Sequence, residues 1–168
     1  MRTFIAIELG NEVKNVLAAA QEQAAALCRK GNYTPKENFH LTLHFLGEVT
    51  TEDVEYLQQA MMETAGMSYP FSLRLDRIGF FPRGREGILW AGVEKSDALF
   101  RLFRNLETCL GRQGFGREKK GLRPHITLGR EVEPYRHFSD VQKKVSLEAT
   151  EIPVTSISLM ESVRMGRK

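Results

Sequence analysis

The sequence has few cysteines, and this excludes two classes of small protein. Only Cys28 and Cys109 occur among the 168 residues, and they do not form a C-x-x-C pair. A disulfide framework or a zinc knuckle needs more cysteines or a closer spacing, so we expect two reduced thiols in the core. Reduced cysteines suit a cytoplasmic protein.

Long apolar runs are also missing. No run approaches the roughly 18 residues of a membrane-spanning helix, and the N-terminus lacks the basic-then-apolar pattern of a secretory signal. The composition, 42% hydrophobic and 27% charged, is ordinary for one soluble domain. A net charge of +3 is too small to indicate nucleic-acid binding by itself, although it is compatible with a phosphate-bearing substrate. We therefore expect a soluble cytoplasmic protein without membrane association.

A tetrad of alternating character occurs twice, as His40-Leu41-Thr42-Leu43 and as His125-Ile126-Thr127-Leu128. Successive side chains on a strand point to opposite faces, so in each copy the histidine and the threonine share one face. Two residues along a strand span roughly 6.6 Å, which lets one imidazole and one hydroxyl contact the same small anion. Two such strands side by side would form a site.

Hydrophobic periodicity predicts strands and helices in alternation. The predicted strands are 3–9, 39–46, 71–75, 88–93, 122–130 and 154–160, and the predicted helices are 11–29, Thr50 or Thr51 to 65, and one that Ser96 caps. A turn is predicted over 79–86. The first motif strand is expected to place His40, Thr42 and His44 on one face and Phe39, Leu41, Leu43 and Phe45 on the core face.

An internal repeat relates these segments. His125 lies 85 residues after His40 (125 − 40), and the same offset carries Thr42 to Thr127, Ile5 to Trp90, and the helical segment 13–27 to 98–112. Three elements in one register indicate two copies of a strand-helix-strand unit about a pseudo-two-fold axis. That geometry would bring the two motif strands together across a cleft.

A metal centre is the main alternative for the histidines, since His40 and His44 are predicted to share a face. Four residues along a strand span about 13 Å, too far for both rings to bind one zinc ion, and the H-E-x-x-H helix motif is absent. We therefore expect no metal and no cofactor. His44 is expected at the edge of the cleft or in solvent, and neither His44 nor His137 receives a catalytic role.

Basic residues near the motifs have two interpretations each. Arg130 would face away from His125 on an ideal strand, but Gly129 permits a bulge that redirects it, and a solvated strand end is an equally good interpretation. Five further cations lie in loops that could rim the cleft or simply be solvated: Arg83, Arg85, Lys119, Lys120 and Arg123.

Two histidines without a Ser or Cys nucleophile signature indicate paired general acid and base catalysis. One neutral imidazole takes a proton from water, and one protonated imidazole gives a proton to the leaving oxygen. Phosphodiester hydrolysis fits, because in-line displacement needs these groups on opposite sides of phosphorus. The threonine hydroxyls would hold non-bridging oxygens, and Arg130 would neutralise charge.

The two tetrads and their flanks resemble the double His-x-Thr-x signature of the 2H phosphoesterases, and within them the RNA 2′,3′-cyclic phosphodiesterases, also described as 2′-5′ RNA ligases. The similarity spans nearly the whole chain and includes segments 2–7, 37–47, 79–82, 89–93 and 123–130. The resemblance implies one 2H phosphoesterase domain over 1–168, of the α+β class. Its fold would be bilobal, with two pseudo-two-fold-related antiparallel-sheet lobes, outer helices and a central cleft.

The resemblance also implies an activity, the metal-independent opening of RNA 2′,3′-cyclic phosphate ends to 2′-phosphomonoesters. His125 would be the base that activates water and His40 the acid, and the phosphate-contacting residues map onto Thr42, Thr127 and Arg130. The sequence alone does not distinguish the two histidine roles, and reversible 2′-5′ RNA ligation is left open.

Two alternatives remain open from the sequence. One is a non-catalytic module that binds RNA ends, and the other is a related enzyme acting on 2′-5′ oligonucleotides or on a small cyclic-phosphate metabolite. A monomer is expected, because the pseudo-symmetry is already internal to the chain.

Overall fold

The computed structural model describes residues 1–118 and 121–162, and this part of the chain forms eight strands and four α-helices. The strands are β1 Arg2–Glu8, β2 Cys28–Tyr33, β3 His40–Glu48, β4 Phe71–Arg83, β5 Glu86–Val93, β6 Ile126–Pro134, β7 Glu151–Val154 and β8 Ser158–Glu161. The helices are α1 Asn11–Ala25, α2 Thr51–Gly66, α3 Asp97–Arg112 and α4 Phe138–Lys144. None of the helices in this part of the chain has the length and apolar character to cross a membrane.

One antiparallel sheet connects the two halves. Its strand order is β7-β4-β5-β6-β3-β1-β8, and β2 pairs with β6 off this path. The two motif strands, β3 and β6, are neighbours at the centre, flanked by β1 and β5. The α+β class is therefore confirmed, with the related halves β1-α1-β3 and β5-α3-β6 joined in a continuous sheet.

The core explains why the motif strands alternate. The apolar residues of both tetrads, Leu41, Leu43, Ile126 and Leu128, are almost fully buried. They belong to one cluster with the apolar stripes of the two repeat helices, which include Leu17 on α1 and Leu106 on α3. Burying these faces removes apolar surface from water and leaves the histidine-threonine faces on the other side of the sheet.

Two helices begin where their capping residues predict. Thr50 accepts a hydrogen bond from the backbone of Asp53 (3.2 Å), and the Asp53 carboxylate accepts one from the backbone of Thr50 (2.9 Å), which forms a capping box. The Ser96 hydroxyl accepts from the backbone N–H of Leu99 at 3.1 Å. The predicted starts of α2 and α3 are thereby confirmed.

Four predicted boundaries are wrong. The second motif strand, predicted over 122–130, is β6 and runs from Ile126 to Pro134. The other three differ for a tertiary reason. Helix α1 ends at Ala25 rather than at Arg29, because the chain then forms β2 against β6. The predicted turn over 79–86 is mostly strand, since β4 continues to Arg83 and pairs with β5. The predicted strand 154–160 is two strands, because β7 pairs with β4 and β8 with β1 at opposite ends of the sheet.

Candidate active site

The register between the motif strands sets the arrangement of the four polar side chains. Leu41 on β3 pairs with Ile126 on β6 in antiparallel orientation. One residue to either side, this register puts His40 opposite Thr127 and Thr42 opposite His125. Directly opposed side chains have Cβ atoms about 5 Å apart, and diagonal neighbours such as the two histidines about 7–8 Å. All four side chains are partly exposed. One phosphate group could therefore be reached from both strands.

A bulge in β3 reverses the face assignments beyond Thr42. Ala6 of β1 pairs with Thr42 and Ile5 pairs with His44, so Leu43 has no partner in this ladder. His44 then joins the core face and is 4% exposed, while Phe45 points to the cleft side and is 62% exposed. The predictions of a solvated or cleft-edge His44 and a core Phe45 are wrong. The predicted burial of Phe39, Leu41 and Leu43 is confirmed.

Each motif histidine is oriented by the backbone two residues before it. Nδ1 of His125 lies 2.6 Å from the carbonyl oxygen of Arg123, and since a carbonyl only accepts, Nδ1 carries the hydrogen. His40 makes a backbone hydrogen bond with Asn38, at the same spacing. With Nδ1 of His125 engaged in this way, its Nε2 is the nitrogen free for proton transfer.

A phenylalanine packs against each motif histidine, which the sequence reasoning missed. The ring of Phe4 stacks on His40 with centroids 4.7 Å apart, and Phe81 meets His125 edge-on at 5.3 Å. The sequence contained a signal for the contact between Phe4 and His40. On β1, Phe4 shares one face with Ala6 and Glu8, whereas Ile5 and Ile7 lie on the other, buried face. Both phenylalanines restrict ring rotation of the histidines.

The two halves of the site differ beside the threonines. Trp90 on β5 pairs with Thr127, whereas Ala6 on β1 pairs with Thr42. In the repeat, Trp90 therefore corresponds to Ala6. The sequence offset of 85 residues had predicted Ile5 as its counterpart, one residue away. The indole lies across Gly79 of β4, where a Cβ atom would be only 2.1 Å from its ring. Glycine at this position is what allows the large ring to lie against the sheet.

The electrostatic surroundings of His40 favour its neutral form. Burial lowers its pKa from the ordinary value, the backbone hydrogen bond with Asn38 opposes this, and the positive charges of Lys14 and Arg130 lower the pKa further. Glu8 raises it slightly. The two cations are thus close enough to His40 to act on its charge. Lys14, on the first turn of α1, was not identified from the sequence; its Nζ donates to the Glu37 carbonyl at 3.2 Å.

The chain around Arg130 is irregular. The β5–β6 register shifts after Gly129, and Glu131 has a left-handed backbone with φ of 52°. This is the bulge that Gly129 was expected to permit. Arg130 itself is exposed, pairs with Asn32 of β2, and acts electrostatically on His40.

The remaining sequence candidates divide into three groups. Arg83 and Arg85 are exposed beside the β4–β5 hairpin turn, Arg123 supplies the carbonyl that holds His125, and Lys119 and Lys120 lie outside the described residues. His137 is exposed just before α4. Across residues 1–118 and 121–162, no three His, Cys, Asp or Glu side chains are grouped as metal ligands.

Comparison with known proteins identifies relatives over nearly the full length. Residues 12–165 match the model of the 2′-5′ RNA ligase superfamily. The chain is 32% identical over 163 residues to an RNA 2′,3′-cyclic phosphodiesterase of Thermotoga maritima, covering 95% of this chain and 82% of that protein. It is 28% identical over 165 residues to a protein of the same name from Archaeoglobus fulgidus, covering 97% and 92%.

Solved structures share the fold. A crystal structure from Thermus thermophilus aligns with a TM-score of 0.83 at 28% identity, covering 99% of this chain and 91% of that one. The crystal structure of E. coli LigT complexed with 3′-AMP aligns with a TM-score of 0.71 at 27% identity, over the same shares of the two chains.

Proposed function

The chain belongs to the 2′-5′ RNA ligase superfamily, and we propose that it hydrolyses RNA 2′,3′-cyclic phosphate ends to 2′-phosphomonoesters by metal-independent acid and base catalysis. It is a cyclic phosphodiesterase, as are its named relatives. The observation that carries the mechanism is the antiparallel register of β3 and β6, which sets two His-x-Thr pairs on one face. A fixed phosphate between two imidazoles is the geometry that in-line displacement needs.

In the proposed reaction, His125 accepts a proton from a water molecule, whose oxygen attacks phosphorus. The bond from phosphorus to the 3′ oxygen breaks on the opposite side, and His40 donates the proton that this oxygen needs. The product is a 2′-phosphomonoester with a free 3′ hydroxyl, and solvent restores both protonation states. Thr42 and Thr127 donate hydrogen bonds to the non-bridging oxygens, and Arg130 balances their negative charge.

His40 can serve as the acid only if it is protonated when substrate is bound. Burial and two cations lower its pKa in the free protein. An anionic phosphate beside the ring favours the charged imidazolium and raises the pKa of His40 again. The basic limb of the pH profile should therefore lie at higher pH for kcat than for kcat/KM, because these constants report bound and free enzyme respectively.

The direct test is hydrolysis of a 2′,3′-cyclic nucleotide and of a cyclic-phosphate-ended RNA in the presence of EDTA. Wild type should turn over both, and His40→Ala and His125→Ala should each lose at least about 100-fold in kcat. His137→Ala, an exposed histidine outside the site, is the matched control and should keep full activity.

Three results would count against the proposal. Chelation that abolishes turnover would remove the metal-free mechanism, and an active His125→Ala enzyme would remove its assigned role. Salt-dependent binding of RNA ends by wild type without any turnover, retained when both histidines are alanine, would instead identify a non-catalytic binding module.

The same site could use a second RNA in place of water. A 5′ hydroxyl that attacks the cyclic phosphate, with the 3′ oxygen leaving, forms a 2′-5′ linkage, and we include this reversible ligation in the proposal. Its test is to incubate a cyclic-phosphate end with a 5′-hydroxyl end and to analyse the linkage formed. We also propose a cytoplasmic monomer, supported by two buried free cysteines and by the internal pseudo-symmetry. Light scattering would check the monomer.

A further inference from the structure

His40 depends for its orientation on a short turn with no buried residue. The imidazole makes a backbone hydrogen bond with Asn38, the last residue of the 3₁₀ turn Lys36–Asn38. Two backbone hydrogen bonds of 2.9 and 3.2 Å close this turn internally. Since none of its three residues is buried, its place relative to the sheet depends on polar contacts and on the buried Phe39 that follows it.

Two lysines connect this turn to the start of helix α1. Nζ of Lys14 on the helix donates to the carbonyl oxygen of Glu37 at 3.2 Å. In the opposite direction, Nζ of Lys36 in the turn donates to Oδ1 of Asn15 on the helix. Charged donors form stronger hydrogen bonds than neutral ones, so the pair of contacts restricts the turn from both sides.

The first turns of α1 are a firm support for these contacts. Val13, which precedes Lys14, is 3% exposed, and Leu17 on the next turn is fully buried. Both belong to the same core cluster as Leu41 of the first motif strand. The core therefore fixes α1 relative to β3, and Lys14 extends that fixed position to the turn that orients His40.

Lys14 also acts on His40 through its charge. Burial is the largest cause that lowers the pKa of His40, and the positive charges of Lys14 and Arg130 lower it further. The backbone hydrogen bond with Asn38 and the charge of Glu8 on β1 raise it. In the part of the chain that the structure describes, Lys14 forms no salt bridge, so no carboxylate neutralises its charge.

The second half of the internal repeat has no equivalent of this lysine. The motif histidines are 85 residues apart (125 − 40), and the starts of α1 and α3 are 86 apart (97 − 11). At these two offsets the counterparts of Lys14 are Leu99 and Phe100, which are apolar. A cation at this place in the fold therefore serves His40 and not His125.

We propose that Lys14 is a positioning residue for His40, whose ammonium group holds the turn Lys36–Asn38 against α1 and thereby keeps the imidazole in the orientation that proton transfer requires. This inference rests on the proposed function. Lys14 acts through Glu37 and Asn38 rather than on the substrate. A displacement of about 1 Å in a reacting group can cost about 100-fold in rate, so the loss of this support should be visible in kcat.

The experiment follows hydrolysis of a 2′,3′-cyclic nucleotide across pH by wild type, Lys14→Met and Lys14→Arg. Lys14→Met should lower kcat by roughly 10- to 100-fold and leave KM near the wild-type value, because it misorients His40 without removing a substrate contact. The basic limb of its kcat/KM profile should move to higher pH, since a cation that lowers the pKa of His40 is gone. Lys14→Arg keeps the charge and the donor and should restore both properties.

Two further variants separate support of the turn from charge. Lys36→Met removes only the contact with Asn15, so kcat should fall less than in Lys14→Met and the basic limb should stay in place. Lys143→Met, which changes an exposed lysine on α4, is the matched control and should behave as wild type. Thermal unfolding of each variant reports whether the fold is retained.

A measurement on the free protein tests the same contact without turnover. The hydrogen bond with Asn38 selects one neutral tautomer of His40, which nitrogen NMR of the ring distinguishes from the other. Lys14→Met should give a mixture of the two tautomers, and Lys14→Arg should give the wild-type spectrum.

The possible outcomes separate this proposal from the proposed function. If wild type hydrolyses no cyclic phosphate diester, the proposed function fails, and the NMR comparison still tests the support of His40. If wild type is active and Lys14→Met keeps its kcat and a single tautomer, the positioning role is refuted while the function stands. A raised KM with unchanged kcat would make Lys14 a substrate contact and overturn the proposal. A loss of kcat together with Tm, without a shifted pH limb and without rescue by arginine, would show a merely structural residue and overturn it as well.

Discussion

Replacing Gly79 by alanine should disturb the site through the only tryptophan in the chain. A Cβ atom at Gly79 would lie 2.1 Å from Cζ2 and 2.2 Å from Cη2 of Trp90. The indole must therefore move away from Gly79, and this displacement occurs beside Thr127, with which Trp90 pairs.

The size of the effect follows from overpacking at a buried position. Forcing extra atoms into a packed site costs about 1–3 kcal/mol of unfolding free energy, and for a protein of this length each kcal/mol lowers Tm by roughly 2–4 °C. We expect Gly79→Ala to lower Tm by roughly 2–12 °C on that basis. We also expect a lower kcat/KM, because Phe81 packs against both Trp90 and His125.

Thermal unfolding with tryptophan fluorescence is the suitable assay, since the sequence contains one tryptophan. Gly111→Ala is the matched control, because a Cβ there meets nothing within 4 Å and α3 is helical at this position. That control should gain about 0.5–1 kcal/mol. Adding Trp90→Phe to Gly79→Ala should recover part of the lost stability. An unchanged Tm and emission spectrum in Gly79→Ala would refute the packing argument.

Three other predictions concern ionisable groups. Lys14→Met removes a cation that lowers the pKa of His40, so the pKa of His40, followed by NMR titration, should rise; an unchanged pKa would contradict the assigned proximity. Glu107→Gln removes the carboxylate that lies 2.9 Å from Nδ1 of the buried His44 and should lower the free energy of unfolding in urea by about 1 kcal/mol; wild-type stability would contradict this. Burial raises the pKa of Tyr33 to about 12, so Tyr33→Phe should remove a phenol ionisation near pH 12 from an absorbance titration, and a titration identical to wild type would refute it.

The pH dependence of stability should also carry a contribution from His40. Its pKa in the folded protein is lowered below the unfolded value, so the folded state binds this proton less readily. The associated stability is fully present above the unfolded pKa, near 6.5, and is lost as pH falls through the lower folded pKa. His40→Asn should flatten this acid limb in unfolding experiments below pH 6.5.

Much of the site could be predicted from local sequence. The alternation within both tetrads placed Leu41, Leu43, Ile126 and Leu128 in the core, because a strand with one buried face has a two-residue period. The helix starts at Thr50 and Ser96 could also be predicted from local sequence, since a capping side chain accepts a hydrogen bond from a backbone N–H within the next turn.

Other features depended on partners far away in the chain. The segment Cys28–Tyr33 has no strong strand pattern of its own and becomes β2 because β6 offers hydrogen bonds. The continuous pattern over 154–160 gave no sign that β7 and β8 pair with strands at opposite ends of the sheet. Hydrogen-bond partners at such sequence distances are set by packing, so periodicity alone does not find them.

The sequence by itself determined the duplicated His-x-Thr strands, their buried and polar faces, and through them the class of chemistry. The tertiary structure decided the register of Leu41 with Ile126, which sets each histidine opposite the other strand's threonine. It also decided the bulge at Leu43 that buries His44 and exposes Phe45. The physical reason is that alternation is a local property of a strand, whereas a bulge arises only when the strand is matched to the residues of its neighbour.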